Sequence, residues 1–393
     1  MGCPWGTTTS SWAAQGGHLE VLQWMRDQDP PCPWDSGVCY WAADKGHLEV
    51  LSWARSQGCP WDEDVPRAAA MGGHLEVLQW MRAQDPPCPW DVGVCYWAAG
   101  KGHLEVLRWA RSQGCPWDED VPIAAAQGGH LEVLQWMRAQ DPPCPWDVGV
   151  CYYAAGKGHL EVLSWARSQG CPWDEDVPRA AAQGGHLEVL QWMRAQDPPC
   201  PWGSGVCYYA AGKGHLEVLR WARSQGCPWD KEVPRAAAQG GHLEVLQWMR
   251  AQDPPCPWDW RVCRAAALHG HLEVLRWARS QGCPWDKEVP RAAAMGGHLE
   301  VLQWMRAQDP PCPWDVGVCY WAADKGHLEV LRWARSQGCP WDGRAPWAAA
   351  KRGHLEVLKW LIEVGCPYDK GECRRYAVVG GERTRKVLQW LNE

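Results

Sequence analysis

The six residues Gly-His-Leu-Glu-Val-Leu occur thirteen times in this 393-residue chain, and their histidines, from His18 to His354, are spaced alternately by 29 and 27 residues. A period of that size describes a unit too small to bury its own apolar face. Stacked copies cover one another, so every copy meets the same neighbours and keeps the same letters. The two spacings differ in one loop, residues 111–117 ("RSQGCPW") against residues 82–90 ("RAQDPPCPW"). A fourteenth, degenerate copy closes the chain, where "GGERTRKVLQWLNE" keeps Val387, Leu388 and Trp390 without the histidine. The expected organisation is a repeat array over 1–367, its first copy incomplete, and a capping repeat over 368–393. The chain opens inside a repeat with no polar cap, as a piece of a longer array or an incomplete gene product would.

Each unit reads as two helices. In "VPRAAAMGG" (residues 65–73), Pro66 suits a first helical turn, where its missing N–H costs nothing. Asp62 or Asp64 can cap the open donors, and Ala68, Ala69 and Ala70 permit close helix approach. Gly72 and Gly73 end the helix, since glycine accepts the left-handed conformation. The second helix, "HLEVLQWMRAQ" from His74, places Leu75, Leu78 and Met81 on one stripe, which Val77 and Trp80 widen. Glu76, Gln79 and Arg82 fall on the wet side. Gly58, or Asp85-Pro86-Pro87 in the longer form, stops it.

The pattern "AAxxGHLEVLxWxxxxG", as in residues 98–114, resembles the ankyrin repeat. Cys115-Pro116-Trp117-Asp118 stands where that family has Ala-Asp-Val-Asn, and Val121-Pro122 where it has Thr-Pro. The resemblance covers essentially the whole chain. It implies an all-α, ankyrin-like solenoid of about fourteen stacked helix-turn-helix repeats that binds protein through a concave face of first helices and finger tips. Two departures stand out. Ankyrin repeats run to about 33 residues, and the residues missing here lie where the family builds its β-hairpin finger. The Thr-Pro-Leu-His tetrad, whose histidine ties neighbouring loops, is also absent. Tight turns with shortened or lost fingers are expected.

Composition narrows the function classes. Apolar residues make up 46% of the chain, sufficient for a packed core, and the formal charge of −7 is interspersed along every repeat. That distribution argues against a nucleic-acid partner, which calls for clustered basic charge. No run of residues approaches membrane-spanning length, and no secretory signal opens the chain. Lipidation at Gly2-Cys3 is not expected, because Gly6 stands where the pattern needs Ser or Thr. The 21 cysteines are odd in number and lack C-x-x-C spacing. Equivalent cysteines lie one helix layer apart, about 8–10 Å, beyond the roughly 7 Å limit for a disulfide. Free buried thiols in a reducing compartment, cytosol or nucleus, are expected, in a monomer.

Few motifs carry chemistry. The thirteen repeated histidines sit too far apart to share a metal with bonds of about 2 Å, and His269-x-His271 is a lone pair. The "DED" triplets at 62–64, 118–120 and 174–176 lack a calcium loop's glycine and distal glutamate, so they read as helix caps. Neither a cofactor, a metal site nor an enzyme is expected. Trp24, Trp53 and Trp80 of the second helices read as core. The turn tryptophans, Trp34, Trp61 and Trp90, could form a stacking ladder for sugars or Pro-rich peptides.

Stacking leaves partner specificity to positions where repeats differ. In the shorter form these are Glu63-Asp64 against Lys231-Glu232 or Gly343-Arg344, and Arg67 against Ile123 or Trp347. In the longer form Val92-Gly93 becomes Trp260-Arg261, Tyr96-Trp97 becomes Arg264-Ala265, and Gly100-Lys101 becomes Leu268-His269. The candidate partner-binding residues are therefore Trp260, Arg261, Arg264, Leu268, His269, Arg344, Trp347, Tyr96 and Trp97. The expected function is a non-catalytic protein-interaction scaffold. A carbohydrate- or Pro-rich-peptide-binding array is the alternative, as is a recently duplicated array without a specific partner.

Overall fold

The computed structural model describes residues 6–393; residues 1–5, with the Gly2-Cys3 pair, lie outside them. The described residues form 28 α-helices, one short 3-10 turn at Gly381–Thr384 and no strand. The helices make fourteen pairs, stacked on their neighbours in an α-solenoid manner within each of two units. The chain divides into two compact units, Met1–Pro201 and Trp202–Glu393, each holding seven pairs.

Local chemistry sets the helix limits. In the shorter form, the first helix Asp64–Gly72 starts where Asp62 Oδ1 accepts the Asp64 N–H at 3.1 Å. It ends at Gly73, whose φ of +79° is left-handed. The second helix, Leu75–Arg82, follows at once. In the longer form, Asp91 accepts the Gly93 N–H at 2.9 Å and opens Val92–Gly100. Cys-Pro-Trp-Asp runs straight into that helix, so the fingers are lost.

Within each unit, consecutive first helices lie against one another along their lengths, whereas consecutive second helices touch only sparsely. The alanine run makes this possible: Ala69 and Ala70 are fully buried and Ala68 nearly so. From the second helix, Val77, Leu78 and Met81 fill the core. Leu75, expected in that stripe, is only half-buried, because the buried stripe of this helix starts at Val77.

The repeated histidine is the tie between layers. His103 Nε2 donates to the main-chain oxygen of Met71 at 3.1 Å, and His74 to that of Asp44 at 3.0 Å. The same bond recurs at His159, His298 and His354. The role left open by the missing Thr-Pro-Leu-His tetrad is thus filled from the second helix.

The tryptophans depart from expectation. Trp80 is half-buried and Trp24 is 56% exposed, so the second-helix tryptophans rim the core without entering it. Val77 and Leu78 already occupy the inward face of so short a helix. Trp80 instead packs at right angles on the turn Trp61, with centroids 6.0 Å apart. The guanidinium of Arg55 lies over Trp61, 4.0 Å from its centroid, and Arg82 over Trp90 at 4.3 Å. Arg82 also donates to the Cys88 carbonyl at 3.1 Å, folding back on its own loop where wet exposure was expected.

The described cysteines are free and buried. Their nearest thiol is not the equivalent one a layer away. The Cys115 thiol, after the second helix, donates to the Asp91 carbonyl at 3.3 Å, and its proximity, with burial, pushes the Cys95 thiol of a first helix up. Burial pushes Cys88 and Cys144 up to about 12.

Candidate partner-binding face

With the core closed by repeated letters, the outer positions of the first helices remain. In the longer form they carry two successive aromatic rings at right angles: Tyr96 and Trp97, centroids 5.4 Å apart, or Tyr152 and Tyr153, 5.2 Å apart. Trp97 is 36% and Tyr153 38% exposed, a large apolar surface for residues on a packed layer.

The shorter form presents arginine at the corresponding place, and its charge is already neutralised. Arg67 Nε donates to Asp91 Oδ1 of the next repeat at 3.0 Å, its Nη2 reaches Asp91 Oδ2, and Nη1 reaches Asp64 at 2.5 Å. The Arg67 hydrogen bond holds the Asp91 carboxyl below its usual range. Arg291 repeats the arrangement with Asp315 and Glu288. Arg179 pairs with Glu175 and Asp176. At Ile123 the layer has no such cation.

The end of each longer-form helix varies in a second way. Asp44 and Asp324 are buried carboxylates that hold Lys45 and Lys325 at 3.0 and 3.5 Å. Gly100, Gly156 and Gly212 replace them in three repeats; in the first two of these, Lys101 and Lys157 are left exposed and outside any ion pair. In that region lies a cavity of about 420 Å³, walled by Tyr96 and Trp97, floored by Gly100, Ala124 and Gly128, and flanked by both lysines. A second, of about 370 Å³, opens on the other side of Trp97, against Tyr40, Arg67 and Met71.

The expected site residues do not all gather in one place. Trp260, Arg261, Arg264 and Leu268 share the helix Trp260–Leu268, all half-buried. Arg261 is engaged by Glu232 at 3.0 Å and Asp259 at 3.7 Å, whereas Arg264 has no ion pair. His269, on the exposed side, stacks on His271, centroids 6.3 Å apart, and partial desolvation of its ring, with His271 beside it, lowers its pKa. Arg344 is tied to Asp342 at 2.8 Å, and Trp347 stacks on Tyr376 at 5.7 Å. These two sit on the helix Arg344–Arg352, three repeats after Trp260–Leu268. Tyr96 and Trp97 belong to the first unit and border the cavities. Lys101, Lys157 and Gln127 were not singled out as site residues. The available signal was the exchange of Asp44-Lys45 for Gly100-Lys101, which removes a counter-ion. Among the described residues no three His, Cys, Asp or Glu side chains converge on a common point that could hold a metal ion, and no helix is long and apolar enough to cross a membrane.

No protein-family model and no curated protein matches this sequence. Among solved structures, the chain is similar to the pentatricopeptide repeat protein PPR10 in complex with an 18-nt psaJ RNA element, at 12% identity and a TM-score of 0.37, covering 98% of this chain and 68% of that one. PPR10 from maize gives 11% identity and a TM-score of 0.31, with 99% and 79% covered. The human ASB11 ankyrin repeat domain gives 16% identity and a TM-score of 0.35, with 47% and 96% covered. What those proteins bind is a property of those proteins. One expectation is nevertheless corrected: the exclusion of a nucleic-acid partner does not stand, since similar helical-repeat chains include one bound to RNA. Net charge averages over every face, whereas a partner meets one face only. The chain is a helical-repeat protein.

Proposed function

We propose that the chain is a non-catalytic, ankyrin-like scaffold that binds a partner protein through its first-helix face. The observation that carries this reading is where the repeats differ. In the histidine-bearing repeats, the described counterparts of Ala69, Leu78 and Cys88 are buried as these residues are. Arg67, Ile123 and Trp347, like Tyr96-Trp97 and Tyr152-Tyr153, occupy the outer side of the first helices. Aromatic and arginine side chains of this kind are enriched at interface hot spots. The free buried thiols support residence in a reducing compartment, cytosol or nucleus.

The test is capture from a source-cell lysate under reducing conditions with three baits. One is the natural chain. The second carries Trp97→Ala and Tyr153→Ala, a change with precedent in Ala265. The third carries Trp260→Val, Arg261→Gly and Arg264→Tyr, the residues usual elsewhere in the array. A protein held by the natural chain and lost from either variant supports the reading. Capture equal on all three baits, or abolished by nuclease, overturns it.

A further inference from the structure

We propose that the groove spanning the fourth to sixth repeats is a site for an extended acidic peptide, with carboxylates on Lys101 and Lys157 and an apolar side chain on Trp97. The proposal rests on the partner-binding reading of the first-helix face and names the chemistry of the partner.

Three features converge here. The cavity of about 420 Å³ is bounded by Tyr96, Trp97, Lys101 and Lys157, a volume within the roughly 300–1,000 Å³ of ligand pockets. Its two lysines are exposed, and neither has an ion-pair partner, unlike Lys45 and Lys325, whose neighbouring aspartates are buried against them. The intervening layer carries Ile123 where Arg67 and Arg179 stand in neighbouring repeats, so nothing between the ammonium groups competes for a carboxylate. Ile123 and Gln127 are four residues apart on the helix Asp120–Gly128 and share a face. They offer an apolar contact and an amide that can pair with a peptide group.

The geometry favours a peptide. Lys101 and Lys157 lie two layers apart, about 20 Å at about 10 Å per layer. An extended chain rises about 3.3 Å per residue, so acidic side chains about six residues apart reach both. The floor of Gly100, Ala124 and Gly128 has almost no side chain, which allows close backbone approach. A polyphosphate backbone calls for a continuous basic stripe. Here the neighbouring cations Arg67 and Arg179 are occupied by carboxylates, and Asp64 lines the adjoining cavity.

The experiment measures fluorescence anisotropy of the full chain with fluorescein-labelled synthetic peptides. Each has two Glu about six residues apart around a central Leu or Trp. Controls are the Gln counterparts and an oligouridine of similar length. Saturable binding of the Glu peptides is expected, weakened by added salt. Lys101→Glu with Lys157→Glu should weaken it at least about tenfold, and Trp97→Ala severalfold. Lys45→Glu, at an ion-paired lysine outside the groove, should leave it unchanged. Circular dichroism checks that the variants fold. Equal binding of Glu and Gln peptides, binding indifferent to the lysine reversals, or tighter lysine-dependent binding of the oligouridine would overturn the proposal. If no peptide binds, the lysate capture separates the two claims. A partner protein retained by the Lys101→Glu, Lys157→Glu chain leaves the scaffold reading standing without this site, and loss of all capture removes both.

Discussion

The imidazole of His103 lies directly over Gly73, where an added Cβ would come within 2.7 Å of the ring, while its Nε2 donates to Met71 one layer before. One residue of the second helix therefore closes the first helix of the preceding repeat. The Gly-His dipeptide recurs because each glycine is the seat of the next histidine.

Gly73→Ala is expected to destabilise the chain by about 2–4 kcal/mol, combining left-handed strain of about 1–2 kcal/mol with displacement of His103. Gly58 has the same φ of +79° with nothing within 4 Å of its would-be Cβ. Gly58→Ala should therefore cost only the strain, about 1–2 kcal/mol. Urea unfolding of the two variants measures the difference, and equal losses would remove the seat role.

Mild acid should loosen the array. Burial lowers the pKa of His130, His242 and His298 in the folded chain, below the ordinary value of about 6.5. The unfolded chain then binds more protons, so the contribution is complete above about pH 6.5 and is lost as pH falls through the folded values. The urea midpoint should drop between neutral pH and pH 5, and His130→Gln should flatten that dependence. A midpoint indifferent to pH in this window would contradict the assignment.

The Arg82 guanidinium over Trp90 and the right-angled Trp90–Trp109 contact, 5.7 Å between centroids, act as one outer ladder. A double-mutant cycle of Arg82→Ala and Trp90→Leu should give a coupling of about 0.5–1 kcal/mol. With a guanidinium already on the ring, oligosaccharides should not quench the turn tryptophans. Additive losses, or saturable quenching, would count against the ladder.

Thiol reactivity should report folding. With Cys88 and Cys144 pushed up to about 12 by burial, native protein at pH 8 should alkylate slowly. In denaturant all 21 cysteines should label. Rapid native labelling, read by mass spectrometry, would show that the layers open.

The repeat period, the paired helices and their limits were legible in the sequence because each depends on residues a few positions apart. Asp91 capping Gly93, the alanine run from Ala68 to Ala70 and left-handed Gly73 are such local matters. So was the loss of fingers, which followed from chain length alone. The carbonyl that His103 meets, the pairing of Trp61 with Trp80, the proximity of Cys95 to Cys115 and the capture of Arg67 by Asp91 were decided only by tertiary structure. Each joins residues 19 to 32 positions apart, so layer stacking, not helix periodicity, sets their distance. The candidate groove belongs to the same class. The exchange of Asp44 for Gly100 could be read in the letters, but that it leaves Lys101 without its counter-ion beside Trp97 depends on how three layers meet.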